Sequence, residues 1–268
     1  MISHVRTAHC QLPHTYVPLR PCFRHGAGVH RKRDPGRDKD PRLLRPHPVS
    51  GAGEPPKPIP VRMDISELDG YCETVLALRD EYRDDIEIHL GLEVEYYPAL
   101  FLPLMEELRA RPIEYLLLAQ HFTRNQYDGS HCGMPGPEVF SDYIGQLITG
   151  IETGRFTYIA HPDIVNHQGD PEEYDRQMRR LCRKANEFGL PLEINLLGLG
   201  DGRSYPYPAF WKIAAEEGCR AIIGCDAHKP ENVFRPDVIE AGRTLAASCG
   251  IQLVETLPLR DPFARDAG

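Results

Sequence analysis

The chain has 268 residues, a formal net charge of −8 and 41% hydrophobic residues, the makeup of a globular protein of one large or two small domains rather than a fibrous one. No apolar run approaches the ~18 residues a membrane-spanning helix needs, and the opening residues lack a signal peptide's apolar stretch, so a cytoplasmic protein is expected. Eight cysteines are scattered without CxxC pairs, which favours reduced thiols over a disulfide framework.

The charge is divided unevenly. The first 60 residues hold eleven Lys/Arg against four Asp/Glu, eleven of the 25 prolines and six of the twelve histidines; the remainder holds 20 Lys/Arg against 35 Asp/Glu. Ser3 and Ser50 are the only serines of that opening segment, and its prolines break every candidate helix, which argues against a transit peptide. "RKRDPGRDKDPR" mixes its signs and lacks interleaved aromatics, so no nucleic-acid partner is expected. Composition predicts an irregular, solvated segment over 1–59 and a single folded domain over 60–268.

From Pro60 onward the pattern becomes regular. "MDISELDGYCETVLALRDEY" (63–82) has helical spacing, with Asp64 or Ser66 available as a cap. "IEIHLGLEVEYY" (86–97) reads as a strand, and "ALFLPLMEELRA" as a helix that Pro103 should delay or kink. "IEYLLLAQHF" (113–122) is a second strand, followed by a long Gly-, Asn- and Asp-rich loop over 123–137. "PEVFSDYIGQLITGIETG" predicts a helix, "FTYIAHPDI" (156–164) a strand, and "PEEYDRQMRRLCRKANEFG" a helix with Pro171 at its start. "LPLEINLLGL" (190–199), "YPAFWKIAAEEG", "CRAIIGCDAH" (219–228), a helix ending at Gly250 and "IQLVETL" (251–257) complete the alternation. Strands apolar on both faces, alternating with helices, predict a parallel α/β sheet, either a closed barrel or a doubly wound sheet. No GxGxxG or GxxxxGK[ST] follows any strand, which disfavours a nucleotide-binding sheet.

The strand ends carry the chemistry. Glu93 and Glu95 close the first, His121 the second, His161 and Asp163 the third. Glu193 and Asn195 lie in the fourth, and Asp226 and His228 close the fifth. In an extended chain residues i and i+2 point to one side, so Asp226 and His228 are expected to converge. Parallel α/β folds place their sites at this rim, and imidazoles with carboxylates suit Zn, Fe or Mn. His89, His131 and His167 read as bystanders, and Cys225 as a packing residue. No GxSxG nucleophile elbow is present.

Together, "GLEVEYYP", "LLLAQHF", "YIAHPDI", "LEINLLGL" and "IIGCDAHKPENV" resemble the histidinol-phosphatase branch of the polymerase and histidinol phosphatase superfamily over residues ~60–257. The resemblance implies a distorted (βα)7 barrel, up to three divalent metal ions, and hydrolysis of L-histidinol phosphate to L-histidinol in histidine biosynthesis. It implies Glu93, His121, His161, Asp226 and His228 as metal ligands, with a metal-bound water held by Glu93, Asp226 and His228. A small phosphate ester is the implied partner, and Arg124 and Lys229, close behind implied ligands, are candidate phosphate-holding cations. The alternatives are another phosphoesterase of the superfamily, or an inactive remnant.

The remnant has a reason. The family opens on a strand with His-x-His and carries an Asp-His pair after its second strand. Here His4 matches the first histidine, but Arg6 replaces the second, and Arg has no lone pair for a metal. No Asp-His occurs in residues 1–60, and His9, His14 and Cys10 lack ligand spacing. Regular opening βα units are therefore not expected. An out-of-frame reading of that gene segment is the hypothesis, a natural N-terminal replacement the competing view, and the coding DNA distinguishes them.

Overall fold

The computed structural model describes residues 63, 65–123, 132 and 137–264. The opening segment with His4, and the stretch holding Arg124 and His131, lie outside the described residues.

The described chain alternates as its hydrophobic pattern predicts. In order the elements are α1 (Leu68–Glu81), β1 (Gly91–Val94), α2 (Pro98–Arg109), β2 (Tyr115–Leu118), α3 (Pro137–Glu152) and β3 (Tyr158–Ile159). They continue with α4 (Pro171–Glu187), β4 (Leu192–Asn195), α5 (Leu196–Gly200), α6 (Pro208–Glu216), β5 (Arg220–Gly224), α7 (Pro236–Cys249) and β6 (Gln252–Leu253). The strands form one all-parallel sheet in the order β1-β2-β3-β4-β5-β6. Among the described residues β1 and β6 are its edges, so the sheet is open there, as in a distorted barrel.

Strand alternation gives the sheet two different faces. Leu92, Val94, Leu116, Leu118, Leu192 and Ile194 join the helices in the large core. Their alternates Tyr115, Leu117, Tyr158 and Ile222 form a smaller cluster against Val254, Leu257 and Leu259. Glu93 pairs in register with Leu117, and Glu193 with Ile222. Both acids therefore belong to this second face.

Local chemistry sets most helix ends. Pro98, Pro171, Pro208 and Pro236 stand in first turns, where the missing N–H costs nothing. Asp170 caps α4 by accepting from Glu172 N at 3.0 Å. Gly250 ends α7 at φ 75°, a left-handed conformation that glycine adopts cheaply.

Several expected boundaries are corrected. A 3₁₀ turn over Ile65–Glu67 precedes α1, whose N-cap Glu67 makes no side-chain cap bond, so the helix starts later than a Ser66 cap would place it. Helix α2 starts at Pro98 and continues past Pro103 to Arg109. Pro103 and Ala99, whose carbonyl loses its partner, are both exposed, so water can serve that carbonyl. The strand expected over 190–199 stops at Asn195, whose side chain accepts from Gly198 N at 2.8 Å and starts α5. His89 precedes β1 instead of lying within it.

At the start of β1, Gly91 lies opposite Tyr115, and a Cβ on Gly91 would fall 2.2 Å from Tyr115 Cζ. The tyrosine ring therefore lies across the glycine. Gly91→Ala is expected to destabilise the chain by about 1–3 kcal/mol through overpacking. In a Tyr115→Val background most of that cost should vanish, and a urea-unfolding double-mutant cycle measures the difference.

Candidate metal centre

Three neighbouring strands bring one side chain each to a common point. Glu93 is in β1, His121 lies three residues past β2, and His161 two residues past β3. All three are buried. One ligand atom from each lies within 4.8 Å of the others. Glu93 Oε1 is 3.7 Å from His121 Nε2 and 3.8 Å from His161 Nε2. These distances are too long for hydrogen bonds. They match the spacing of two atoms that share an ion, since ligands at ~2.1 Å in a tetrahedral site lie roughly 3.4 Å apart. The two imidazole rings meet edge to face, with centroids 4.7 Å apart.

Acids from adjacent strands hold both histidines by their backbone. Glu95 Oε1 accepts from His121 N at 2.8 Å and Phe122 N at 3.2 Å. Glu193 Oε2 accepts from His161 N at 2.9 Å. Cys132 N donates to His121 O at 2.8 Å, and Tyr143 OH to Pro162 O at 2.9 Å. Asp163 ties the third strand end to α6, its Oδ2 accepting from Tyr207 N at 2.6 Å and Trp211 Nε1 at 3.0 Å.

The backbone is strained at two of these positions. His161 has φ 28° and Asp226 φ 42°, a region that side-chain-bearing residues enter at a cost of order 1–3 kcal/mol and that clusters at functional sites. The turn at Asp226 overturns the extended geometry expected through His228. Strand β5 ends at Gly224, and beyond it Asp226 is buried while His228 is exposed. His228 Nδ1 lies 3.0 Å from the Asp226 carbonyl oxygen and 3.4 Å from Asp226 Oδ1. The described residues thus form one tight three-ligand group, Glu93, His121 and His161, with the 226/228 pair outside it.

The electrostatics show a surplus of negative charge. Burial would push the His161 imidazole down, but the facing Glu93 carboxylate, with the charges of Glu193 and Asp226, outweighs that and holds it at about 9. Burial drives Glu193 well above the usual carboxylate range, against the pull of His161, and raises Asp163 to about 6. His161 Nδ1, Glu193 Oε1 and Asp226 Oδ1 are buried without hydrogen-bond partners, which is uncommon for buried polar atoms. Nitrogen and oxygen donors in a field that favours positive charge fit a divalent Zn, Fe or Mn ion.

The remaining candidates are more ordinary. Lys229 is exposed, just ahead of the 3₁₀ turn Pro230–Asn232. His89 Nε2 is 2.9 Å from Glu87 and its Nδ1 3.5 Å from Glu114. The His167 ring lies 4.3 Å from that of Phe140 and 5.6 Å from that of Tyr174. Cys225 is half-buried. Two neighbours had no sequence signal: the Tyr205 ring lies 6.0 Å from that of His161, and Arg203 Nη1 donates to Tyr205 OH at 3.0 Å. Among the described residues no helix is long and apolar enough to cross a membrane.

A curated relative from Deinococcus radiodurans, named "Probable histidinol-phosphatase", is 25% identical over 190 residues, 65% of this chain and 70% of the relative. The chain resembles histidinol phosphatases. The fold agrees: a Lactococcus lactis histidinol phosphate phosphatase, complexed with Zn, L-histidinol and phosphate, superposes at a TM-score of 0.54. Identity there is 15%, covering 71% of this chain and 79% of that one. A candidate histidinol phosphatase from Listeria monocytogenes superposes at 0.51 with 17% identity, covering 66% of this chain and 76% of that one. No family model matches the chain.

Asp163→Ala would strand two donors, the buried Trp211 indole N–H and the part-buried Tyr207 N–H. The expected loss is about 1–3 kcal/mol per stranded group, read as a lower urea midpoint at unchanged slope. Wild-type stability in the variant would contradict the bonding described.

Proposed function

We propose that the chain is a metal-dependent phosphoric monoester hydrolase that converts L-histidinol phosphate to L-histidinol and phosphate, a step of histidine biosynthesis. The observation that carries this reading is the convergence of Glu93, His121 and His161 at the carboxyl ends of three adjacent parallel strands. The sequence likeness to a histidinol phosphatase and the Zn, L-histidinol and phosphate bound by a protein of the same fold support it.

In this reading Glu93, His121 and His161 hold a divalent cation, Zn, Fe or Mn. Asp226 extends the ligand set from β5, and His228 joins it from the exposed turn. A divalent ion bound there supplies Lewis acidity, activating water near neutral pH and drawing charge from the phosphoryl oxygens. The chain's own residues do the rest. Glu95 and Glu193 fix the backbone at the two histidines, so the site pays little reorganisation when substrate arrives. The burial of Glu93, His121 and His161 excludes bulk water from the charged cluster. Lys229, and Arg124 from the loop, are the cations assigned to the phosphate.

A second reading is favoured by the size of the cluster. Among the described residues three ligands meet in one group, enough for one ion, and Arg6 occupies a position that the family resemblance gives to histidine. A chain that binds one ion without turnover would fit that count. A different phosphoesterase of the same superfamily is the third.

Phosphate release separates them. With Mn or Zn, L-histidinol phosphate should be hydrolysed faster than p-nitrophenyl phosphate, and a chelator should abolish release. Glu93→Gln should lose more than the about 10–100-fold typical of an outer partner. Preference for the aryl ester would move the assignment to another phosphoesterase. No turnover with one ion or fewer per chain would establish the inactive reading.

A further inference from the structure

Asn195 ends β4 and is fully buried. Its Nδ2 donates to Asp226 Oδ2 at 3.0 Å and to Glu193 Oε2 at 3.3 Å, while its Oδ1 accepts from Gly198 N at 2.8 Å. The amide orientation is forced by these partners. A backbone N–H can only donate and the carboxylates accept, so oxygen must face Gly198 and nitrogen the acids.

We propose that Asn195 is a positioning residue of the metal centre, acting through Glu193 and Asp226; the inference rests on the metal-centre reading above. Its two amide hydrogens engage one oxygen of each acid. The other oxygens, Glu193 Oε1 and Asp226 Oδ1, are buried with no hydrogen-bond partner. Asn195 thus fixes both carboxylates about their side-chain torsions and leaves one oxygen of each outside its own hydrogen bonds, Asp226 Oδ1 facing His228 Nδ1 at 3.4 Å. Through Glu193, which accepts from His161 N at 2.9 Å, the same amide braces the turn that carries a ligand of the tight group. It also joins the ends of β4 and β5 at a point where the Asp226 backbone sits at φ 42°, a conformation that surrounding contacts must maintain. The choice of residue is informative. A neutral amide offers two donors and one acceptor in one plane, whereas a carboxylate here would oppose two others in a buried space.

The competing explanation is that Asn195 only caps α5. Serine and threonine distinguish the two, because either hydroxyl can cap a helix but neither can also span both acids. Asn195→Ser and Asn195→Thr are to be made in the full chain, checked by thermal unfolding, and titrated with Zn and Mn by calorimetry. Both should fold and bind the ion about 10–100-fold more weakly than wild type, with the Asp226→Ala variant showing little further loss when combined with either. Wild-type affinity and stoichiometry in the folded variants would overturn the proposal and leave a cap. A wild-type chain that takes up neither ion would instead overturn the metal-centre reading, and this inference with it.

Discussion

Ionisable groups buried at one rim of an apolar sheet govern the rest of this structure. Glu93, His121, His161, Glu193 and Asp226 are all nearly inaccessible to water. Removing charge from water costs several kcal/mol per ion unless partners compensate. The chain compensates in two ways. Backbone N–H groups of the neighbouring strand end bind Glu95 Oε1 and Glu193 Oε2, and the imidazoles meet Glu93 across a gap of ion-sharing width. The first solution lies within the protein and leaves Glu193 Oε1 without a partner. The second leaves room for a cation.

The sheet makes this possible. Parallel register puts Glu93 beside Leu117 and Glu193 beside Ile222, so the acids rise above an apolar layer of Tyr115, Leu117, Tyr158 and Ile222. The opposite face is consumed by helix packing. The strands deliver function and core from alternate residues, and the segments just past β2 and β3 add His121 and His161 to Glu93. The strained turns at His161 and Asp226 are where delivery changes into aiming.

Much of this was legible in the sequence. Apolar runs such as "YLLL" marked strands buried on both faces, and the residue types at their ends marked a metal rim. The resemblance to histidinol phosphatases reached the same fold. What sequence periodicity cannot carry is a left-handed turn at a residue other than glycine. Asp226 was read as extended; the turn keeps the His228 ring 3.4 Å from Asp226 Oδ1 but leaves His228 exposed. Asn195 was read mid-strand because "INLLGL" is apolar, although an asparagine three residues ahead of Gly198 is also a helix cap. Glu95, Glu193 and Asp163 were seen at the rim but given no role, since holding a backbone N–H leaves no pattern in one sequence. His4 and Arg124 lie outside the described residues.

Crystallising the chain with Zn and locating the ion by anomalous scattering would test the central claim most directly. The account predicts density bounded by Glu93, His121 and His161, with ligand atoms at about 2.0–2.2 Å. Zn bound elsewhere, such as at His89 and Glu114, with the Glu93 cluster empty would contradict it.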